Sequence, residues 1–314
     1  MHRRDFHRLS VASLFGALLA REAGAHAAGP QAAPMPEPAE KSAGEALTPN
    51  QRDIASSTSA HLEAMGRHEA FMKFPKATIG LVVYPGMFLQ DLIGPLTVFE
   101  ALMNRDIHLL WKTRQPIGNM QPEHPTLVPI TPTTTFEDCP KELDVLFVPG
   151  GVPGTLAMME DPEMLGFLRR MAPSSRYITS VCTGSFVLAA AGLLDGYRAA
   201  SYWAVADLLA ELKAIPSTER VCVDRNRITG GGVTAGIDFA LTIAANLTSP
   251  LYAQAIQLYL EYAPSPPFDA GRPESAPEAA RVFLEDMFAG LRVSTRSIAQ
   301  RVRERTNPAG DTPG

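Results

Sequence analysis

The residue best placed for chemistry is Cys182, at the junction of an apolar run and a helix of small residues. The junction reads S-V-C-T-G-S at 180–185. A sharp strand-to-helix turn exposes its side chain at the sheet edge and at a helix N-terminus, so we predict a thiol pKa below the usual ~8.5. A cysteine beside a valine is otherwise most often a core residue. The turn favours a nucleophile at Cys182, whereas Cys139 and Cys222 lack it and are interpreted as core or surface residues.

A thiolate nucleophile also needs hydrogen-bond donors for the negative charge that develops on its substrate. Backbone amides in turns supply such donors, and those of Gly151 and Thr183 are the candidates, with Gly150 preceding them. The segment from Gly150 to Gly154 lacks both the Lys-Ser/Thr pair of a phosphate loop and the spacing of a dinucleotide fingerprint. A plain strand-to-helix turn explains Gly154 equally well.

Asp91 is the candidate proton carrier. It begins the segment D-L-I-G-P directly after the first predicted strand, close to where Cys182 should emerge. A carboxyl group near a thiolate has a raised pKa and can act as a general acid near neutral pH. An aspartate before an apolar periodic run is also a typical helix N-cap. The sequence leaves both roles open, separately or together.

These candidates require a frame that brings strand ends together. Residues 77–262 alternate between apolar β-rich runs and helical spacing. Predicted strands cover 77–84, 107–112, 144–149, 176–181, 198–202, 220–224 and 227–229. Predicted helices cover 92–103, 203–212, 234–245 and 251–262, with a small-residue helix ending at 191. Continuous apolar strands are typical of a parallel sheet covered on both faces, whose ligand site lies beyond the carboxyl ends of the strands.

Composition narrows the class of protein. The chain has 314 residues, of which 46% are hydrophobic and 19% charged, enough for one large or two small domains and inconsistent with wholesale disorder. The net charge is -5, so there is no electrostatic case for nucleic acid or an anionic membrane surface. Three cysteines without a CxxC or Cys/His cluster predict neither a metal nor another cofactor. A disulfide between Cys139 and Cys222 is possible, although their spacing does not support it.

The N-terminus is typical of an export signal. Residues 2–8 read H-R-R-D-F-H-R, a mild apolar run covers 9–20, and an A-x-A site ends at Ala27. This pattern is similar to a twin-arginine signal, because it combines an arginine pair with modest hydrophobicity. We therefore predict a signal peptide at 1–27 and a periplasmic mature protein. Residues 28–76 are predicted to form a spacer followed by a helical extension.

Several segments together resemble the ThiJ/PfpI superfamily, which is related to class I glutamine amidotransferases. They read V-V-Y-P-G-M-F-L-Q-D-L-I-G-P at 82–95, D-V-L-F-V-P-G-G at 144–151, T-S-V-C-T-G-S at 179–185 and I-T-G-G-G-V-T-A-G-I-D-F-A-L at 228–241. The motifs A-A-G-L-L at 190–194 and L-E-Y-A-P-S-P-P-F at 260–268 are most similar to the isonitrile hydratase group. The resemblance covers 77–270 and implies a flavodoxin-like α/β sandwich that forms a homodimer.

By this resemblance Cys182 is the nucleophile, Asp91 the partner carboxylate, Thr183 a polar assistant and Gly151 an oxyanion-hole amide beside Gly150. The implied reaction is cysteine-dependent hydration of a small isonitrile to an N-substituted formamide. The alternative is a non-enzymatic periplasmic protein that binds a ligand or protects against oxidation through the same thiol.

Three other family activities are less expected. Peptidase and deglycase branches have histidine after the cysteine, where this chain has Thr183. The chain also departs at one position from the hydratase-like relatives themselves: they commonly have histidine before the tryptophan, where this chain has Tyr202. Regulators that share the domain carry a helix-turn-helix pair after it, whereas residues 271–314 predict one amphipathic helix (Val282, Phe283, Met287, Leu291) and an arginine-rich tail. That tail is more typical of a solvated helix face than of a DNA contact.

Overall fold

The computed structural model describes residues 49–118, 120 and 126–306. The predicted signal peptide and residues 28–48 of the spacer lie outside this part of the chain. Helix α1 covers Pro49–Gly66, within the stretch predicted to be helical, and a short 3-10 turn follows at Glu69–Phe71. The chain divides into two units within α1, after Ser57, and the description below concerns the second unit.

A seven-stranded sheet carries the predicted site. Its strands are β1 (Ala77–Val82), β2 (Arg105–Trp111), β3 (Thr134–Thr135), β4 (Leu143–Val148), β5 (Ser175–Val181), β8 (Val221–Asp224) and β9 (Arg227–Gly230), and a separate two-stranded sheet pairs β6 (Arg198–Ala200) with β7 (Ile215–Ser217). The order is β3-β2-β1-β4-β5-β9-β8, and every pair is parallel except β8 with β9. Because β1, β4 and β5 are adjacent and parallel, their carboxyl ends meet at one edge.

Helices cover both faces of this sheet. They are α2 (Leu89–Glu100), α3 (Gly154–Met158), α4 (Pro162–Met171), α5 (Gly184–Ala190), α6 (Ala235–Leu247), α7 (Pro250–Tyr259) and α8 (Glu278–Thr306). One layer contains α2, α6 and α7, and the other contains α3, α4 and α5. The central strands are buried, as their apolar runs predict, and Phe147 contacts Phe239 between sheet and helix. The predicted α/β sandwich with a mostly parallel sheet is therefore confirmed.

Several element boundaries differ from the prediction. Helix α2 begins three residues earlier than predicted, because the chain leaves its extended conformation at Phe88. Residues 206–212 form a 3-10 helix, so the helix predicted at 203–212 is wrong in type and start. Helix α4 was not predicted, although Asp161 caps it by accepting from the Met164 amide and Pro162 occupies its first position.

The long C-terminal helix α8 packs against the 3-10 helix at 206–212. Arg292 forms a bidentate ion pair with Asp207 at 2.7 Å, and Leu291 and Ile298 are buried. Of the predicted apolar stripe only Leu291 is buried; Phe283 is 65% exposed. The arginine-rich end is paired with domain carboxylates: Arg296 with Glu211, and Arg301 and Arg305 with Glu160.

One long helix therefore follows α7 in the described part of the chain, where a helix-turn-helix would need two short ones. Within residues 49–118, 120 and 126–306, no helix has the combined length and apolarity to cross a bilayer.

Candidate active site

Cys182 lies on a strained turn between β5 and α5. Its φ of 57° is in the left-handed region, which costs a non-glycine residue roughly 1 kcal/mol or more. The end of β9 stabilises this conformation, because the Cys182 amide donates to the carbonyls of Gly231 (2.7 Å) and Gly230 (3.1 Å). The hydroxyl of Ser201 donates to the Cys182 carbonyl at 3.0 Å. The predicted strand-to-helix turn at the cysteine is thus present.

The end of β4 meets this turn at Gly150. The Gly150 amide donates to Asp91 Oδ2 at 3.0 Å, and its carbonyl accepts from the Phe88 amide at 2.8 Å. A Cβ atom on residue 150 would lie 2.6 Å from the Thr183 nitrogen and 2.7 Å from Asp91 Oδ2. Only glycine therefore fits where the first turns of α2 and α5 approach the same strand end.

Asp91 is a buried residue of the first turn of α2 and does not cap that helix. The N-cap position is Phe88, and no side chain there accepts a capping bond. The N-cap role left open for Asp91 is therefore wrong, because its carboxylate is directed to the Gly150 amide of the neighbouring strand end. Asp91 is 0% exposed, and its second oxygen, Oδ1, has no hydrogen-bond partner among the described residues.

The environment of Asp91 makes it a base near neutral pH. Burial raises the pKa of the carboxyl to about 6, while the neighbouring Cys182 thiol and the Gly150 amide partly oppose that rise. Above pH 6 the carboxylate is mostly ionised and its unpartnered Oδ1 is available to receive a proton.

The Cys182 thiol has a raised pKa, contrary to the prediction from its helix N-terminus. The side chain is 6% exposed, and burial raises its pKa first, followed by the charge of Asp91. The Thr183 amide and hydroxyl oppose these effects without outweighing them, and α5 has only seven residues. At neutral pH the pair therefore consists of a protonated thiol beside an ionised carboxylate.

Thr183 and Gly151 are joined by a hydrogen bond. The Gly151 amide donates to Thr183 Oγ1 at 2.9 Å. This amide is therefore a donor to Thr183 in the structure and does not face the cysteine as a free donor. The oxyanion-hole role of Gly151 stays a prediction that requires this bond to be shared or broken, and the Gly150 amide is likewise occupied by Asp91.

Comparison with known proteins gives the family. The model of the DJ-1/PfpI family matches residues 77–246, which contain Asp91, Gly150, Gly151, Cys182 and Thr183. The chain belongs to the DJ-1/PfpI family. Its mostly parallel seven-stranded sheet with helices is the flavodoxin-like fold of that family.

Two relatives indicate how widely the family's functions vary. The chain is 52% identical over 201 residues to the isonitrile hydratase of Pseudomonas putida, covering 64% of this chain and 85% of that protein. It is 34% identical over 157 residues to the HTH-type transcriptional regulator GbdR of Pseudomonas aeruginosa, but covers only 41% of it. A crystal structure of a ThiJ/PfpI family protein from Pseudomonas syringae matches with a TM-score of 0.69 and 44% identity, covering 72% of this chain and 91% of that one.

Residues outside the predicted set also contribute to this DJ-1/PfpI site. Thr155 Oγ1 lies 2.8 Å from Thr183 Oγ1 and 3.2 Å from the Tyr84 hydroxyl, which in turn donates to the Pro149 carbonyl at 2.6 Å. Tyr84 stands within the quoted motif at 82–95, and Thr155 follows the glycine-rich segment. The sequence shows their hydroxyl groups, but it does not show that the starts of α3 and α5 bring Thr155 and Thr183 together.

Tyr202, where the resemblance led us to expect histidine, is half-buried. Its ring packs edge-on against Phe288 of α8, with centroids 5.3 Å apart, and against Trp203. Two histidines of the described chain have partners elsewhere: His108 of β2 is hydrogen-bonded to Thr134 of β3, and His68 packs edge-on against Phe71.

All three cysteines are free thiols in the structure. Cys222 is buried on β8 and Cys139 is partly buried, so the disulfide considered between them is not formed. Burial raises the pKa of both thiols, which keeps them protonated and unreactive near neutral pH.

Proposed function

We propose that this protein hydrates a small isonitrile to an N-substituted formamide. The observation that carries the proposal is the meeting of Cys182 and Asp91 at one edge of the sheet, where both side chains are buried and the Gly150 amide holds Asp91 Oδ2 at 3.0 Å. The raised pKa of both groups supports a protonated thiol beside an ionised carboxylate near neutral pH. The 52% identity to an isonitrile hydratase supports the substrate class. The relatives include both an isonitrile hydratase and a transcriptional regulator, so the reaction depends on these residues and not on the fold alone.

The first step adds the thiol across the terminal carbon of R-N≡C. Asp91 Oδ1 accepts the Cys182 proton as sulfur forms a bond to that carbon, and the carboxyl then delivers the proton to the same carbon. The S–H bond breaks, the C–S and C–H bonds form, and the product is the thioimidate R-N=CH-S-Cys182. No group leaves in this step, because the proton removed from sulfur is returned to carbon. Asp91 can act first as the base and then as the acid, because its pKa of about 6 is close to neutral pH.

The second step adds water to the thioimidate carbon. Asp91 accepts a proton from water as the water oxygen bonds to that carbon, and then passes this proton to the imine nitrogen, giving the tetrahedral species R-NH-CH(OH)-S-Cys182. Collapse breaks the C–S bond, and the hydroxyl proton returns to sulfur through Asp91. The sum is one water added to one isonitrile, and the enzyme is returned as carboxylate and thiol.

The surface around the pair is suited to a small apolar substituent. Phe88 (51% exposed) and Val152 (48% exposed) are large apolar side chains beside the strand ends that carry Asp91 and Gly151. An isonitrile carries no net charge and requires no ionic anchor, and exposed apolar side chains can contact its substituent.

Product analysis distinguishes this proposal from a protein that only binds or is modified through the thiol. Purified protein is incubated with excess n-butyl isonitrile in H₂¹⁸O, and N-butylformamide is measured by mass spectrometry. We expect many equivalents of formamide per protein, with the ¹⁸O label in the formyl group. A single equivalent of modified thiol without free formamide would favour the non-enzymatic alternative.

A further inference from the structure

A buried row of hydroxyl groups runs behind Thr183 and ends at a carbonyl. It passes from Thr183 Oγ1 to Thr155 Oγ1 (2.8 Å), then to the Tyr84 hydroxyl (3.2 Å) and finally to the Pro149 carbonyl (2.6 Å). Tyr84 is 0% exposed, Thr155 2% and Thr183 3%. Each hydroxyl has one proton to donate, whereas a carbonyl oxygen can only accept.

The carbonyl at the end fixes the direction of every bond in the row. The Tyr84 proton is committed to Pro149, so the Tyr84 oxygen must accept from Thr155. The Thr155 proton is then used, and Thr155 must accept from Thr183. The opposite direction leaves the contact between Tyr84 and Thr155 without a proton and loses one buried hydrogen bond.

The same reasoning determines what Thr183 offers to the cysteine. Its proton points away to Thr155, and one lone pair accepts from the Gly151 amide at 2.9 Å. The Thr183 hydroxyl also lies within hydrogen-bond reach of the Cys182 thiol, and a hydrogen bond from it lowers the pKa of that thiol. Sulfur and Thr155 therefore compete for the single proton of Thr183, and a row that takes this proton leaves an accepting oxygen on the cysteine side.

We propose that Tyr84 and Thr155 are positioning residues that lock Thr183 as a hydrogen-bond acceptor at the nucleophile. This fixed hydrogen-bond direction adds a detail to the proposed hydration, and its effect on catalysis rests on that proposed function. A water molecule that gives one proton to Asp91 can give its other to Thr183 Oγ1, which orients the water lone pair toward the thioimidate carbon. A Thr183 hydroxyl that donated instead would stabilise the thiolate and leave the water without this contact.

The burial of Tyr84 keeps its hydroxyl protonated, and so preserves the hydrogen-bond direction of the row, over the working pH range. Burial raises the pKa of the phenol well above its usual range, so its proton remains on the side of Pro149. Tyr84 also follows β1, while Pro149 follows β4, so the row joins the two strands whose ends carry Asp91 and Gly150.

The test is the pH dependence of Cys182 alkylation by iodoacetamide, read by peptide mass spectrometry, in Tyr84→Phe and Thr155→Val. Both variants free the Thr183 proton to turn toward sulfur, so we expect the alkylation midpoint to fall by about 1 pH unit. With n-butyl isonitrile we expect kcat to fall about tenfold, since water loses its second contact.

Matched variants separate polarity from general damage. Thr155→Ser keeps the hydroxyl and should restore both the midpoint and kcat, and Tyr177→Phe removes a tyrosine hydroxyl from β5 without touching the row. Thr155→Val also leaves the bond from Tyr84 to Pro149 in place if Tyr84→Phe fails to fold.

An unchanged or raised midpoint in Thr155→Val would overturn the proposal. The alkylation readout needs no isonitrile chemistry. A lowered midpoint in a protein that makes no formamide would support the locked Thr183 while rejecting the proposed hydration.

Discussion

Replacement of Cys182 by alanine is expected to abolish formamide production, a loss of at least ~10³-fold. The thioimidate forms by a bond to sulfur, and among the described residues Cys182 is the free thiol that interacts with Asp91. Serine should not rescue activity, because a hydroxyl is far less acidic than a thiol and a carboxylate with a pKa of about 6 cannot deprotonate it efficiently.

Cys222→Ala is the matched control for this loss. Cys222 is also a buried free thiol, but it lies on β8 at 0% exposure and outside the active site. Its removal should lower the free energy of unfolding by about 1 kcal/mol and leave kcat near the parent value. Equal activity loss in both variants would indicate a folding defect and would contradict a specific role for Cys182.

Asn in place of Asp91 is expected to lower kcat/KM by ~10²-fold or more while the fold survives. The amide oxygen can still accept from the Gly150 amide, but the side chain can neither take the thiol proton nor return it. The parent enzyme should gain activity with rising pH up to about 6, where the Asp91 carboxyl ionises, and this acid limb should vanish in Asp91→Asn.

The same substitution should make the protein more stable above pH 6. The pKa of Asp91 is about 6 in the folded protein and about 4 in the unfolded chain. The folded protein therefore loses stability as pH rises from about 4 to about 6, because the unfolded chain releases this proton first. Asp91 therefore costs up to about 3 kcal/mol at neutral pH and nothing below pH 4. Urea unfolding of parent and variant at pH 7.5 and 4 should show a gain only at the higher pH.

Glu100→Gln supplies a control for both readouts, because Glu100 is an exposed carboxyl at the opposite end of α2. It should alter neither the acid limb nor the pH dependence of stability. An Asp91→Asn variant with normal turnover would refute the catalytic assignment of Asp91 and remove the main reason to prefer hydration over ligand binding.

The sequence was sufficient for the parts of the site that depend on strand ends. Cys182 follows β5, Gly150 follows β4, and Asp91 follows the turn after β1, so a parallel sheet alone brings them to one edge. The short apolar runs predicted the parallel strands β1, β2, β4 and β5 correctly, because burial on both faces leaves a local signature. The two short strands β3 and β7 were not predicted, and the strand predicted at 198–202 belongs to the separate two-stranded sheet.

The sequence did not predict the protonation state of Cys182 or the contacts between side chains from distant segments. The dipole of a helix end is visible locally, but the burial of Cys182 and the charge of Asp91 arise from distant segments and reverse the expected direction of the thiol pKa. Thr155 meets Thr183 only because α3 and α5 start beside each other. The same holds for Gly151, whose amide is occupied by a side chain 32 positions away.

The most direct test of the account is capture of the covalent intermediate. Protein turning over n-butyl isonitrile is quenched with acid within milliseconds, digested, and examined by mass spectrometry at the peptide that contains Cys182. We expect an adduct equal to the mass of one whole isonitrile on Cys182, present during turnover and absent once substrate is exhausted. Sustained formamide production without this adduct, or undiminished production by Cys182→Ala, would contradict it.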